Sequence, residues 1–223
     1  MPIQAILWDF DGTLAASLPG IAAAMRQTLA AADYAEPTEP EVRATVGLTL
    51  EESMRRLTGG RATEEEIPQL VASYRGRHDA VAAPLVRLFP GARKTLDALA
   101  GRGIRSILVS NKGRHGLDQL LGQFELQAAF AHTLSADQVR YRKPDGRLFA
   151  SSIAPLMPEL RAEEFLVVGD TEADLGFARA AGLKACWARY GYGDPVRCSS
   201  LVPGFVLDAV SELPAQLDRM AQQ

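Results

Sequence analysis

Short apolar runs alternate with longer stretches of helical period along most of this chain, and few folds accommodate that order. The runs at 3–8, 104–109, 128–134, 165–168 and 184–188 are too short for helices, and three of them are rich in Ile, Leu, Val or Phe. The run at 128–134 is the weakest. Such runs read as strands buried on both faces, a property of parallel sheets. Between them lie helical stretches with recognisable ends. One spans 92–100, with Pro90 ahead of it and Gly101 and Gly103 behind. Another opens after Asp170 and stops before Gly182, and a last one carries Val210, Leu213, Leu217 and Met220 on one face. Strands alternating with helices predict an α/β fold built on a parallel sheet. At 223 residues, 47% hydrophobic and 23% charged, the chain fills one such core with room for an insert.

Residues 15–88 break the alternation. Ile21, Met25 and Leu29 mark one helical face, and Ile67, Leu70, Val71 and Tyr74 mark another. Pro37, Pro40 and the Gly59-Gly60 pair separate the segments, and Glu64, Glu65 and Glu66 read as a helix N-terminus. No strand is evident. A helical block inserted after the first strand predicts a lid of residues 15–88 over a core of residues 1–14 and 89–223.

Charge and cysteine usage narrow the function. With 24 basic and 27 acidic residues the net charge is −3, which argues against a nucleic-acid partner, and the basic run Arg140-Tyr141-Arg142-Lys143 is too short to reverse that. Cys186 and Cys198 form no CxxC pair and read as idle thiols in a reducing compartment. No basic stretch leads into an apolar one at the start, and no apolar run approaches the ~18 residues of a membrane span. The expectation is a cytoplasmic monomer or homodimer without a membrane partner. His78, His115 and His132 lack metal-ligand spacing.

The first strand runs directly into Asp9-Phe10-Asp11-Gly12-Thr13-Leu14. Alternation sends both carboxylates to one side and Phe10 to the other. Two such charges repel unless a cation or a proton sits between them. The C-terminal ends of strands are also where open α/β sheets place ligands. The competing reading is an ordinary Asp- and Gly-rich turn. On these two residues alone, both stand.

The run resembles the first motif of the haloacid-dehalogenase-like superfamily in its phosphotransferase form. Val109-Ser110-Asn111-Lys112 resembles the family's Ser/Thr motif, Arg142-Lys143-Pro144-Asp145 its Lys motif, and Val168-Gly169-Asp170-Thr171-Glu172-Ala173-Asp174 its acidic motif. Four motifs in the family's order span nearly the whole chain. The resemblance implies a Rossmann-like, doubly wound parallel sheet carrying an all-helical cap. It also implies a phosphoric monoester hydrolase. Asp9 would be the nucleophile that forms an aspartyl phosphate, and Asp11 the general acid–base. Ser110, the N–H of Asn111, Lys143 and Thr13 would meet the substrate phosphate. Asp9, Asp170 and the backbone carbonyl of Asp11 would hold Mg²⁺, with Asp174 orienting the site from behind.

Related activities separate on single residues. Dehalogenases of the family lack the second aspartate, here Asp11. Phosphonatases and the β-phosphoglucomutase branch use a cap lysine, and residues 15–88 contain none. The phrase Val46-Gly47-Leu48-Thr49-Leu50-Glu51-Glu52-Ser53, with Ser110-Asn111-Lys112, looks most like the phosphoglycolate phosphatase branch, although many members carry Asp where this chain has Ala16. Arg43, Thr45 to Thr49, Arg55, Arg75 and His78 are the cap residues that are candidates to reach inward, with an ordinary surface position the commoner reading for each arginine. Lys112, Arg114 and Arg147 are either close to the cleft or simply solvated. A small phosphate monoester of phosphoglycolate type is therefore the expected substrate; sugar phosphates, nucleoside monophosphates and pyrophosphate are the alternatives on the same machinery. An idle phosphate-binding module is the alternative of another class.

Overall fold

A computed structural model describes residues 2–221. Strand β1 (Ala5–Trp8) is wholly buried, with Ile6 and Trp8 packed on one face of the sheet and Ala5 and Leu7 on the other. The chain then forms a two-residue strand, β2 (Ala15–Ala16), and four helices: α1 (Leu18–Ala30), α2 (Glu39–Arg43), α3 (Leu50–Leu57) and α4 (Glu66–Val81). It returns through β3 (Arg87–Leu88) to α5 (Ala92–Gly101), β4 (Arg105–Val109), α6 (Arg114–Gln123) and β5 (His132–Leu134). The last part holds β6 (Phe165–Gly169), α7 (Glu172–Ala181), β7 (Lys184–Ala188), α8 (Pro195–Ser200), β8 (Phe205–Leu207) and α9 (Leu213–Ala221).

Six strands form one parallel sheet in the order β5-β4-β1-β6-β7-β8. From β1 the chain winds outward through β4 to β5, then crosses back to β6 and winds the other way. That reversal beside β1 opens a crevice at the C-terminal ends of the strands. Apolar clusters cover both sheet faces, so the fold is the doubly wound α/β class expected. Helices α1–α4 have a separate core, in which Leu18, Ile21, Met25 and Leu29 pack against Val42, Met54, Ile67 and Leu70. Local chemistry sets these helices: the Thr49 hydroxyl caps α3 by accepting from Glu52 N–H, and Thr38 and Glu41 cap α2 reciprocally.

Four departures from the sequence reading have physical reasons. The edge strand β8 was absent from the five expected strands because it is short and half-exposed, with Val206 42% accessible, so no buried run announces it. Within 128–134 only His132–Leu134 is strand, and Gln127–Ala129 is a 3₁₀ turn. The segment 15–88 is not entirely helical. Its ends pair antiparallel, Ala15 with Leu88 and Ala16 with Arg87, and two residues are too few to show a period of two. Helix α6 also escaped notice, since Gly116 and Gly122 lie within it.

Candidate active site

The central strands β4, β1 and β6 end at Ser110, Asp9 and Asp170. Beyond β1 the backbone N–H of Asp9 donates to the Val168 carbonyl at 2.9 Å, which fixes the start of the turn. Asp9 and Asp11 face the same cavity, while Phe10 is fully buried in the sheet core. Gly12 has φ +91°, and a Cβ there would lie 2.2 Å from Asp170 Oδ2, so the turn and the neighbouring carboxylate pack only around glycine.

The floor of the cavity is a buried network. Lys143 Nζ donates to Asp9 Oδ1 and to Asp174 Oδ1, each at 2.6 Å. Asp174 Oδ2 accepts from the Thr171 N–H at 3.0 Å and from its hydroxyl at 2.8 Å, in the first turn of α7. Asp170 Oδ1 accepts from the Thr13 hydroxyl at 2.8 Å, and its Oδ2 accepts from the Tyr192 N–H at 2.7 Å. Carboxylate oxygens of Asp9, Asp170 and Asp174 lie within 4.8 Å of one another.

One ammonium among three buried carboxylates leaves negative charge uncompensated. Burial, with the charges of Asp174 and Asp11 adding to it and Lys143 opposing, pushes Asp9 up to about 7. Burial, followed by the charges of Asp9 and Asp174, pushes Asp170 well above the carboxylate range. Burial works against the Lys143 ammonium, but Asp174 and Asp9 outweigh it and hold its pKa above the ordinary lysine value. A hard divalent cation fits this all-oxygen set, because it supplies the missing positive charge to carboxylates already converged. The buried Oδ1 of Asp11 has no hydrogen-bond partner among the described residues, and its Oδ2 lies 3.4 Å from Lys112 Nζ.

The remaining expected residues divide. Ser110 is 5% exposed and its Oγ accepts from Lys112 N–H at 3.2 Å, leaving its own proton free to donate into the cavity. Asn111 spends both side-chain N–H groups, on the carbonyls of Gly47 and Lys143 at 2.8 Å each, so its backbone N–H is what remains for phosphate. Thr13 is fully buried and its hydroxyl proton goes to Asp170. Among the helical-layer candidates, Thr45 to Thr49, Arg75 and His78 line the cavity. Arg55 does not; it pairs with Glu64 on the outer surface. Arg43 turns to the carbonyls of Gly191 and Tyr192. Lys112 lines the cavity, whereas Arg114 pairs with Asp118 and Arg147 with Asp145. The segment 190–193 was missed altogether; glycines alternating with tyrosines straight after a buried strand were the available signal.

The sequence profile of the haloacid dehalogenase-like hydrolases matches residues 6–188 of the chain. The chain belongs to that family. Similar proteins include a phosphoglycolate phosphatase of Cupriavidus necator, 30% identical over 97% of this chain and 94% of its own length. A phosphoglycolate phosphatase of Rhodospirillum rubrum is 33% identical over 86% of this chain and 83% of its own. The fold matches the crystal structure of a Bacteroides fragilis protein described as haloacid dehalogenase-like, with a TM-score of 0.87 and 28% identity over 95% of this chain and 99% of that one. Within this haloacid dehalogenase-like hydrolase, no described helix is long and apolar enough to cross a membrane.

Proposed function

We propose that this chain, a phosphoric monoester hydrolase by its family and relatives, acts in the cytoplasm on a small ester of the phosphoglycolate type, with Mg²⁺ as its cation. The observation that carries the reading is the pairing of Asp9 with the Lys143 ammonium beneath a cavity that Asp11 also faces. That cavity is about 180 Å³. At the ~30 Å³ a water takes in the liquid it has room for about six, which suits a small ester better than a nucleotide.

In this reading an Asp9 oxygen attacks phosphorus in line as the ester P–O bond breaks, and Asp11 gives its proton to the departing alkoxide. Asp11, now ionised, takes a proton from water; the water oxygen attacks phosphorus, the Asp9–phosphorus bond breaks, and inorganic phosphate leaves. Ser110, the backbone N–H of Asn111 and Lys143 hold the phosphoryl oxygens throughout. Asp9, Asp170 and the Asp11 carbonyl would hold the cation, with Asp174 fixing Lys143 behind them. When bound, that cation screens the charge on phosphate and nucleophile. Residues 15–88 act as a cap on a core of 1–14 and 89–223, covering the cavity and excluding bulk water.

The test is phosphate release from phosphoglycolate, sugar phosphates, nucleoside monophosphates and pyrophosphate, with Mg²⁺ and with EDTA. Phosphoglycolate should be turned over fastest and EDTA should stop it. Asp9→Asn should lower turnover by at least about 10³-fold while its far-ultraviolet circular dichroism stays native. A flat trace across the panel would instead favour an idle binding module.

A further inference from the structure

The segment 190–193 lies between the charged floor and the helical layer and touches both. On the floor side, the Tyr192 N–H is one of the two groups that hold the Asp170 carboxylate, at 2.7 Å. The Tyr190 hydroxyl donates to the Thr13 carbonyl at 2.7 Å, and Thr13 is the other group holding Asp170. The approach is close: a Cβ on Gly191 would lie 2.3 Å from Asp170 Cβ and 2.4 Å from its Oδ2. On the helical side, the Tyr192 hydroxyl accepts from the Leu18 N–H at 3.0 Å, at the first residue of α1. The Arg43 guanidinium, at the end of α2, donates to the Gly191 carbonyl at 2.8 Å and the Tyr192 carbonyl at 3.2 Å, and sits 5.8 Å from the Tyr192 ring centre.

We infer that segment 190–193 is a strap that positions the Asp170 carboxylate, and that Arg43 is the positioning residue by which the helical layer holds the strap in place. The inference rests on the proposed function in taking Asp170 as a cation ligand. Both Asp170 oxygens depend on this unit, one directly through Tyr192 and one through Thr13. Moving the helical layer away would withdraw both Arg43 hydrogen bonds from the strap's carbonyls. Asp170 then loses the constraint that sets its direction, and its affinity for a cation falls. Groups that orient metal ligands typically change affinity by about 10–100-fold when removed. Arg43 acts one bond further out, so the low end applies.

The experiment measures Mg²⁺ affinity of the substrate-free full chain by isothermal titration calorimetry, alongside KM and kcat at saturating Mg²⁺. Arg43→Ala should weaken Mg²⁺ binding about 5–10-fold and leave KM near the wild-type value, and Arg43→Lys should recover part of the loss, since an ammonium can still reach one carbonyl. Tyr192→Phe, which removes the hydroxyl that accepts from Leu18 N–H, should weaken Mg²⁺ binding less than Arg43→Ala. If Arg43→Ala does not fold, the same comparison is made with Arg43→Lys and Tyr192→Phe. Unchanged Mg²⁺ affinity with a raised KM would make Arg43 a substrate contact and overturn the inference, as would no change in either quantity. A wild-type chain that neither binds Mg²⁺ nor releases phosphate would overturn the proposed function and this inference with it. Wild-type binding matched by every variant overturns the inference alone.

Discussion

The floor and the roof of the cavity use polar groups in opposite ways. On the floor, Asp9, Lys143, Asp170 and Asp174 are each 6% exposed or less, and they are bound to one another or to the backbone by bonds of 2.6–3.0 Å. In the roof, His78 is as deeply buried, at 3% exposed, yet its Nε2 has no partner among the described residues. Burial, and then the nearby Lys112 ammonium, push His78 down to about 4, so it is uncharged at neutral pH. A saturated network keeps one geometry and suits one reaction. Asp11 Oδ1, just past β1 and outside that bonded set, is unfilled in the same way as His78 Nε2. The sheet side therefore carries four groups held by one another and by the backbone, and the helical side a buried atom left open.

The sharpest way to break this division is to remove the floor's only buried ammonium. Lys143→Met keeps most of the side-chain volume but leaves Asp9 and Asp174 without their common partner. Breaking a buried ion pair from one side costs about 3–5 kcal/mol. The thermal midpoint in EDTA should fall by roughly 6–15 °C, and Mg²⁺ should restore part of it. Turnover should drop about 10²–10³-fold even at saturating Mg²⁺. A fully active, equally stable variant would mean that the floor is not held by its charges.

A smaller effect separates electrostatic crowding from packing. Asp9 is held at about 7 in the folded chain against an ordinary value of 3.8. The folded state thus keeps a proton that the unfolded chain has already released. This group's contribution to stability is greatest below about pH 4 and declines as pH rises through 7. Asp9→Asn removes that titration. In EDTA its stability relative to wild type should rise between pH 5 and pH 8 by about 1–3 kcal/mol, read from denaturant melts. Parallel curves for the two proteins would place the carboxylate's proton elsewhere.

How much was legible beforehand follows the same line. The candidate site residues lie in short contiguous strings, 9–14, 109–112, 142–145 and 168–174, each read without knowing the fold. Four of the six sheet strands were visible as apolar runs in a sheet buried on both faces, and β5, half-buried and three residues long, showed only weakly. What could not be read is what tertiary contact decides. Thr13 was expected at the substrate phosphate, and only the fold shows that its hydroxyl proton goes to Asp170. The Tyr192 contribution is a backbone N–H, which no side-chain pattern encodes. Arg43, Arg55, Arg75 and His78 looked alike as inward-reaching candidates, yet only Arg75 and His78 line the cavity, because helix rotation depends on the core packed beneath it.

In the roof, His78→Leu deletes a buried atom that makes no bond in the free protein. Such a change should be near neutral, because among the described residues the only polar neighbour lost with the ring is Asp79, 4.0 Å from Nδ1. KM for esters with a polar leaving group should nonetheless rise about 3–10-fold, since those groups lose the Nε2 contact. A drop in stability with unchanged KM across the panel would make His78 a packing residue.

The smallest effect belongs to Arg55, and it tests whether the roof's outer face matters at all. Arg55 and Glu64 pair at 2.8 Å with side chains 45% and 78% exposed. Exposed pairs of this kind lose most of their attraction to water and to the freezing of two long side chains. Arg55→Ala should therefore leave the thermal midpoint, KM and kcat indistinguishable from wild type at physiological salt. A raised KM would show that α3 turns its outer face toward the substrate during the cycle, and the boundary between reading face and solvent face would have to move by a third of a helical turn or more.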